Sequence, residues 1–335
     1  MYRLFTWAPI PEDGTSMYRA WGPLSQLRRI TDKIELVRAT GSVNWVDYLQ
    51  LDGAFLQRPF LPNQVQFASE CKAYGIPLLT DWDDDLLNVP EDNPTHGQYS
   101  APQSKQNVET LARMSDCVIS STAALAEVLK PFNQTTHIVR NALDPRLLVR
   151  MPQETPRNPI VMWRGGHTHQ RDLREYTDAI LACYEANPTW SFVFMGYNPW
   201  WIKERMSPER YRHVPFNPQY AYYMRDLAKV RAAIHIVPLA DNKFNRSKSD
   251  IAYLEATAAG SVVLGPDWEE WQSPSLVNYK DPSSFQAKLQ ELMNTPIEQL
   301  GSVNEKAWQH VLSNRTLTKE NNNRLNLFKR YGGMK

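Results

Sequence analysis

The chain's 335 residues are 42% hydrophobic and 22% charged, enough apolar material for two cores of ordinary size and too much for a disordered protein. Lys and Arg number 37 against 36 Asp and Glu, which excludes a molecule-wide basic field for polyanions. Cys71, Cys117 and Cys183 stand far apart with no CxxC pair, which argues against a disulfide framework or a structural zinc site and for buried thiols in a reducing compartment. No run of about 18 apolar residues occurs, and the first residues carry no apolar stretch of signal-peptide length, so the expectation is a cytoplasmic protein without a membrane span.

In chain order, Arg3 to Ala8 reads as a strand and Pro23 to Ile30 as a helix. Ile34 to Arg38 and Gly53 to Gln57 read as short strands, and Asn63 to Tyr74 has helical spacing. Ile76 to Thr80 is a buried strand that runs into Asp81-Trp82-Asp83-Asp84-Asp85. A helix over Lys105 to Met114, a strand over Cys117 to Ser120, a helix over Ala123 to Leu129 and a strand over His137 to Arg140 complete the first half. Three prolines between Met151 and Pro159 then mark a linker. Beyond it the rhythm restarts, with strands at 160–163, 191–195, 233–237 and 262–264. Helices at 171–187, 220–230, 249–259 and 282–294 alternate with them, and a mostly helical tail runs from Val303 to Tyr331. Strands separated by helices predict α/β architecture, with two Rossmann-like doubly wound domains facing across a cleft and ligands at the carboxyl ends of the strands.

Three stretches carry candidate chemistry. After the strand ending at Pro238, a polar loop with Asn242, Phe244 and Asn245 leads to Lys248 and a helix opening near Ser249. A helix N-terminus beside a lysine suits an anion, and Glu255 further along suits a ribose diol; an ordinary capped surface helix is the alternative. Arg164, Gly165, Gly166 and His169 form a turn after another strand, where glycines let the backbone approach a phosphate and the basic side chains donate to it. His167 and His169 sit in a turn without a convincing set of carboxylate or thiolate partners, so a metal site is the minor reading there. Asp81, Asp83, Asp84 and Asp85 repel one another, which raises some of their pKa values and nominates one as a general base. The alternatives for that run are a divalent-metal site and a helix start capped by Asp. The segment Gly14 to Arg19, after the first strand, reads by itself as a mobile surface turn; the resemblance described next implies a loop that faces the cleft.

Phe244, Asn245, Lys248, Ser249 and Glu255, followed by Gly260, Val262 and Val263, resemble the donor-site motif of nucleotide-sugar glycosyltransferases with the GT-B fold, in the family-4-like group. The turn from Trp163 to Asp172, the segment Val139 to Asp144, the acidic strand end and the Gly14 loop are similar to further elements of that group. The resemblance implies that Lys248 contacts the donor diphosphate and Glu255 its ribose, with Gly14, Arg164, Gly165, Gly166, His169, Asn242, Phe244, Asn245 and Ser249 around the donor. The family's paired-glutamate pattern has another Glu eight positions before 255, where this chain has Ser247, a departure that bears on sugar contacts and stereochemistry.

The resemblance further implies transfer of a sugar from a nucleotide diphosphate to an acceptor hydroxyl, metal-independent and retaining, with no tightly bound cofactor. Asp83 or Asp84 would supply the base. It implies an acceptor-side domain over 1–150, a donor domain over 151–305 and a tail over 306–335 that packs back on the first domain. A saccharide or small-molecule acceptor is favoured over a DNA base, because residues 1–150 hold 14 basic and 17 acidic residues. A local stripe of Arg19, Arg28, Arg29 and Lys33 is the feature that would serve DNA. A non-catalytic nucleotide-binding protein is the reading from another class.

Overall fold

The computed structural model describes residues 1–8, 14–38, 50–144, 146 and 157–335. Most of the proline-rich linker lies outside the described residues.

Two six-stranded sheets organise the chain. The first contains β1 (Tyr2–Trp7), β2 (Ile34–Arg38), β3 (Gly53–Gln57), β4 (Leu78–Trp82), β5 (Cys117–Ser120) and β6 (Thr136–Ile138), in the order β2-β1-β3-β4-β5-β6. The second contains β7 (Asn158–Gly165), β8 (Ser191–Gly196), β9 (Tyr211–Val214), β10 (Ala232–Ile236), β11 (Val262–Pro266) and β12 (Val277–Tyr279), in the order β12-β11-β10-β7-β8-β9. Every pair is parallel. Parallel strands are joined through crossovers that cover both sheet faces, which is why β3, β4, β10 and β11 are buried at every position.

The strand orders locate the site. In the first sheet the winding direction reverses between β1 and β3, and in the second between β7 and β10. At such a switch point the connections leave in opposite directions and open a crevice at the carboxyl ends of the strands. Gly14 follows β1, Arg58 follows β3, Arg164 and Gly165 end β7, and Pro238 follows β10. All of these residues line one cavity or the cavity adjoining it.

The tail joins the two halves. The helix Ile297–Asn314 packs Ala307, Trp308 and Val311 into the second domain's core with Tyr253 and Leu254. The chain crosses at Arg315 and Thr316, where Thr316 bridges to Leu143. The helix Leu317–Tyr331 then buries Leu327 and Phe328 among Leu4, Phe55 and Leu79 of the first sheet.

Several expectations change. Gly14–Arg19 is a helix, not a loop. The acidic run after β4 starts no helix; Asp85 instead accepts from the Leu87 amide (3.2 Å) and Asn88 Nδ2 (2.7 Å) within a turn. The helix expected over 171–187 is divided at Tyr176 into Gln170–Glu175 and Thr177–Ala186.

Candidate functional site

The cavity of about 280 Å³ between the domains is lined from the first domain by Gly14, Thr15, Tyr18, Arg58, Asp83, Asp84 and Asn141. The second domain contributes Arg164, His169, Lys248, Ser249 and Glu255, with the Ile251 and Ala252 end of a helix. An adjoining, more apolar cavity of about 550 Å³ shares Gly14, Arg164 and Glu255 and adds Gly165, Gly166, Tyr197, Phe216, Tyr220 and Tyr223.

The turn after β7 is built around His169. Its Nδ1 lies 2.8 Å from Asp172, and the other Asp172 oxygen accepts from the Ala240 amide (3.0 Å) and Asn245 Nδ2 (2.7 Å). Asp172 thus ties the turn after β7 to the loop after β10. Burial, with the charges of Lys248 and Arg164, outweighs Asp172 and lowers the His169 pKa. The imidazole is therefore neutral near pH 7, its Nδ1–H committed to Asp172, which leaves Nε2 as the acceptor. Gly165 is required by packing, because a Cβ there would lie 2.5 Å from the Trp163 ring, whereas a Cβ at Gly166 would make only an ordinary contact, 3.8 Å from Thr168 Oγ1.

The loop after β10 is fixed by its own amides. Asn242 caps the short helix Lys243–Arg246 by accepting from the Asn245 amide at 2.9 Å. Phe244 is buried, and Lys248 Nζ lies 4.4 Å from its ring centroid. Ser249 accepts from Asn141 Nδ2 at 2.7 Å across the cleft. The next helix is Ile251–Ala259, two residues later than the sequence places it. Asp250 stands before it but does not cap it, because its carboxylate accepts from both terminal guanidinium nitrogens of Arg315 at 2.7 Å. Ser247 is buried, with its hydroxyl on the Lys243 carbonyl (3.1 Å) and its own carbonyl accepting from Thr122 (2.8 Å). Position 247 therefore presents no acidic group to the cavity.

The acidic strand end separates into distinct roles. Asp81 is fully buried and paired with Arg19 at 2.7 and 2.9 Å, and burial still raises its pKa. Asp83 and Asp84 both pair with Arg58, at 2.8 and 2.9 Å, and Lys248 reaches Asp84 at 3.4 Å from the opposite domain. Burial raises the Asp83 pKa against the pull of Arg58. Burial would also raise Asp84, but Lys248 and Arg58 hold it down at about 2. Of the two candidate bases, Asp83 has the affinity for a proton and Asp84 is a fixed anion.

Glu255 is 4% exposed and engaged by protein. Its Oε1 accepts from Tyr18 (2.8 Å), and its Oε2 accepts from Tyr223 (2.7 Å) and lies 2.6 Å from Arg164 Nη2. Arg164 Nε and Nη2 have no partner in hydrogen-bonding geometry, so this ion pair is close but poorly aligned. Among the described residues no group of three His, Cys, Asp or Glu side chains is placed to hold a metal ion.

Of the sequence-nominated donor residues, Gly14, Arg164, Gly165, Gly166, His169, Lys248, Ser249 and Glu255 border these cavities, Phe244 and Asn245 contact Lys248 from behind, and Asn242 stands one step further back, capping the helix that carries Phe244 and Asn245. Sequence reasoning missed Arg58 altogether; its position just after a strand at a switch point is the signal that would have found it. In the sequence Tyr18 falls within the Gly14–Arg19 segment, and Tyr220 and Tyr223 within the helix at 220–230, with nothing to mark them as partners of Glu255. The basic stripe loses Arg19, which is buried in its pair with Asp81, while Arg28, Arg29 and Lys33 remain exposed.

Solved structures share this two-domain arrangement. Anabaena HepE in complex with UDP and glucose matches with a TM-score of 0.68 at 12% identity, over 98% of this chain and 100% of that one. A UDP-forming α,α-trehalose-phosphate synthase from Burkholderia xenovorans matches at 0.58 and 12%, over 83% and 73%. S. aureus TarM, in a complex with fondaparinux, α-GlcNAc-glycerol and UDP, matches at 0.61 and 13%, over 85% and 58%. No protein-family model matches the chain, and no curated protein matches it in sequence. The likeness establishes the fold: two Rossmann-like domains facing across a cleft in the GT-B arrangement, with the final helix crossing back to the first domain.

Proposed function

We propose that the cleft binds a nucleotide-diphosphate sugar and transfers its sugar to an acceptor hydroxyl. The observation that carries this reading is that both switch points open on one cavity, where Lys248, Arg164 and His169 gather around the start of the helix bearing Glu255. The solved structures of the same fold named above hold UDP or are described as UDP-forming.

In this reading the diphosphate lies between the Arg164–Gly166 turn and Lys248–Ser249, and the nucleoside occupies the adjoining cavity with Tyr197 and Phe216. Phe216 is 63% exposed on its rim, an apolar face available for stacking. The acceptor oxygen forms a bond to the anomeric carbon, the bond from that carbon to the phosphate oxygen breaks, and the electron pair leaves with the diphosphate. Lys248 and Arg164 stabilise the departing charge, so the protein's own cations serve where a metal otherwise would. The acceptor proton passes to Asp83 or to the departing phosphate, and retention of configuration is the stereochemical outcome we assign. Residues 1–150 form the acceptor side and 151–305 the donor side; within the tail from 306 onward, packing on the first sheet begins at Leu317. A saccharide is the favoured acceptor, since the stripe proposed for DNA is interrupted at Arg19. Three buried free cysteines and no helix long and apolar enough to cross a membrane among the described residues fit a cytoplasmic protein.

The test is release of nucleoside diphosphate from a panel of UDP-, GDP- and ADP-sugars, with water or added saccharides as acceptor. Turnover with at least one donor is expected. Binding without turnover across the panel and a broad set of acceptors would make the protein a nucleotide-binding relative of the fold instead.

A further inference from the structure

We propose that Tyr18 is a latch on the nucleotide site: its hydroxyl closes the first domain onto Glu255 and is displaced by a ribose hydroxyl when a nucleotide enters. The inference rests on the reading of the cleft given above.

Tyr18 belongs to the first-domain helix Gly14–Arg19, yet its side chain is buried in the second domain's core cluster with Tyr220 and Tyr223. Its ring meets Tyr220 edge to face at 5.3 Å and 88°. The phenol has one hydrogen, and at 2.8 Å that hydrogen goes to Glu255 Oε1. The 2.6 Å contact between the Tyr18 and Tyr220 oxygens therefore has Tyr220 as donor. Burial and the neighbouring carboxylate raise the Tyr18 pKa well above its usual value of 10.0, so the phenol keeps its hydrogen at neutral pH.

With Tyr18 bonded to Oε1, Tyr223 bonded to Oε2 and Arg164 close beside Oε2, the carboxylate is covered by three side chains and Glu255 is 4% exposed. A ribose diol approaching Glu255 must take the place of one of these donors. Tyr223 lies on the same domain as Glu255 and Arg164 carries the compensating charge, whereas Tyr18 is the one donor that comes from the other domain, and so the one that can leave without disturbing the second domain's own packing. The exchange replaces one hydroxyl donor by another, so no buried carboxylate is left unpaired in either state. Gly14 begins the same helix and lines both cavities, so withdrawal of Tyr18 also moves the wall that faces the nucleotide.

A latch of this kind lowers apparent affinity by the fraction of molecules that are open. Titration calorimetry with UDP on the full chain tests it, comparing wild type, Tyr18→Phe and Tyr220→Phe. Tyr18→Phe retains the ring and removes the competing hydroxyl; UDP should bind it at least about five-fold more tightly. Tyr220→Phe leaves the Tyr18–Glu255 bond in place and should stay within about two-fold of wild type. Tyr18→Met, which also lacks the hydroxyl, should tighten binding as well and serves if the phenylalanine variant folds poorly. If wild type binds UDP and the Tyr18 variants bind it equally or more weakly, the latch is overturned while the nucleotide reading stands. If none of the proteins binds UDP, or GDP or ADP in its place, the nucleotide reading and the latch fall together.

Discussion

His235 and Glu270 are two buried groups whose titrations oppose each other. His235 lies on β10 with both ring nitrogens unpartnered, and burial, reinforced by Arg164, lowers its pKa to about 3. As pH falls below the ordinary histidine value near 6.5, the unfolded chain takes up a proton that the folded one refuses, so stability is lost. Glu270, buried and beside Asp250, is raised to about 7 despite Arg140 and Arg315. The folded state binds its proton first, so this contribution is full below about 4.5 and is lost as pH rises toward 7. Each group supplies a slope of about 1.4 kcal/mol per pH unit, and between about pH 4.5 and 6.5 the two cancel. Denaturant unfolding from pH 4.5 to 6.5 should therefore show a flat contribution in wild type. His235→Leu should become more stable toward low pH, and Glu270→Gln less stable. Parallel profiles for all three proteins would contradict these assignments.

At the scale of elements, the helix Ile251–Ala259 presents Glu255 and is anchored at its start by the Asp250–Arg315 pair, whose side chains are 0% and 7% exposed. Removing one member of a buried pair strands the other, at a cost of about 3–5 kcal/mol. Asp250→Ala should lose about that much unfolding free energy, and Arg315→Met combined with it should recover part of the loss. No recovery in the double variant would mean that Asp250 acts through the helix start alone. Most elements were legible because parallel strands are short, continuous apolar runs and the helices between them repeat at helical spacing. The missed strands β9 and β12 are edge strands of four and three residues in which Tyr279 alone is buried, so neither alternation nor continuous hydrophobicity develops. The helix Gly14–Arg19 was missed because Gly, Thr and Ser at its start are weak helix formers; tertiary bonds from Tyr18 and Arg19 hold it. Lys248, Glu255 and the Arg164 turn were legible as contiguous motifs, while the contacts of Tyr18 and Tyr223 with Glu255, and of Arg58 and Lys248 with Asp84, unite residues far apart in the chain and exist only once both domains are folded.

For the whole molecule, the return of the tail makes the first domain's core depend on residues more than 300 positions from β1. Phe328 is fully buried against Phe55, with ring centroids 6.1 Å apart. Phe328→Ala should cost about 3–5 kcal/mol, whereas Leu312→Ala, at an exposed position on the preceding helix, should change stability by less than about 0.5 kcal/mol. Equal, small effects in chemical denaturation would mean that the tail contributes little to that core. The same return, with Asn141 bonded to Ser249 and Thr122 to Ser247, holds the two sheets so that their switch points face one another.

The claim on which the functional account depends is that this shared cavity recognises a nucleoside diphosphate through Lys248. Titration of the full chain with UDP and with uridine, in wild type and in Lys248→Met, tests it most directly. A charged phosphate contact of this kind is worth about 1.5–3 kcal/mol, so UDP should bind wild type at least about ten-fold more tightly than uridine, and Lys248→Met should remove most of that difference. UDP binding no tighter than uridine, or a UDP preference unchanged in Lys248→Met, would contradict the account.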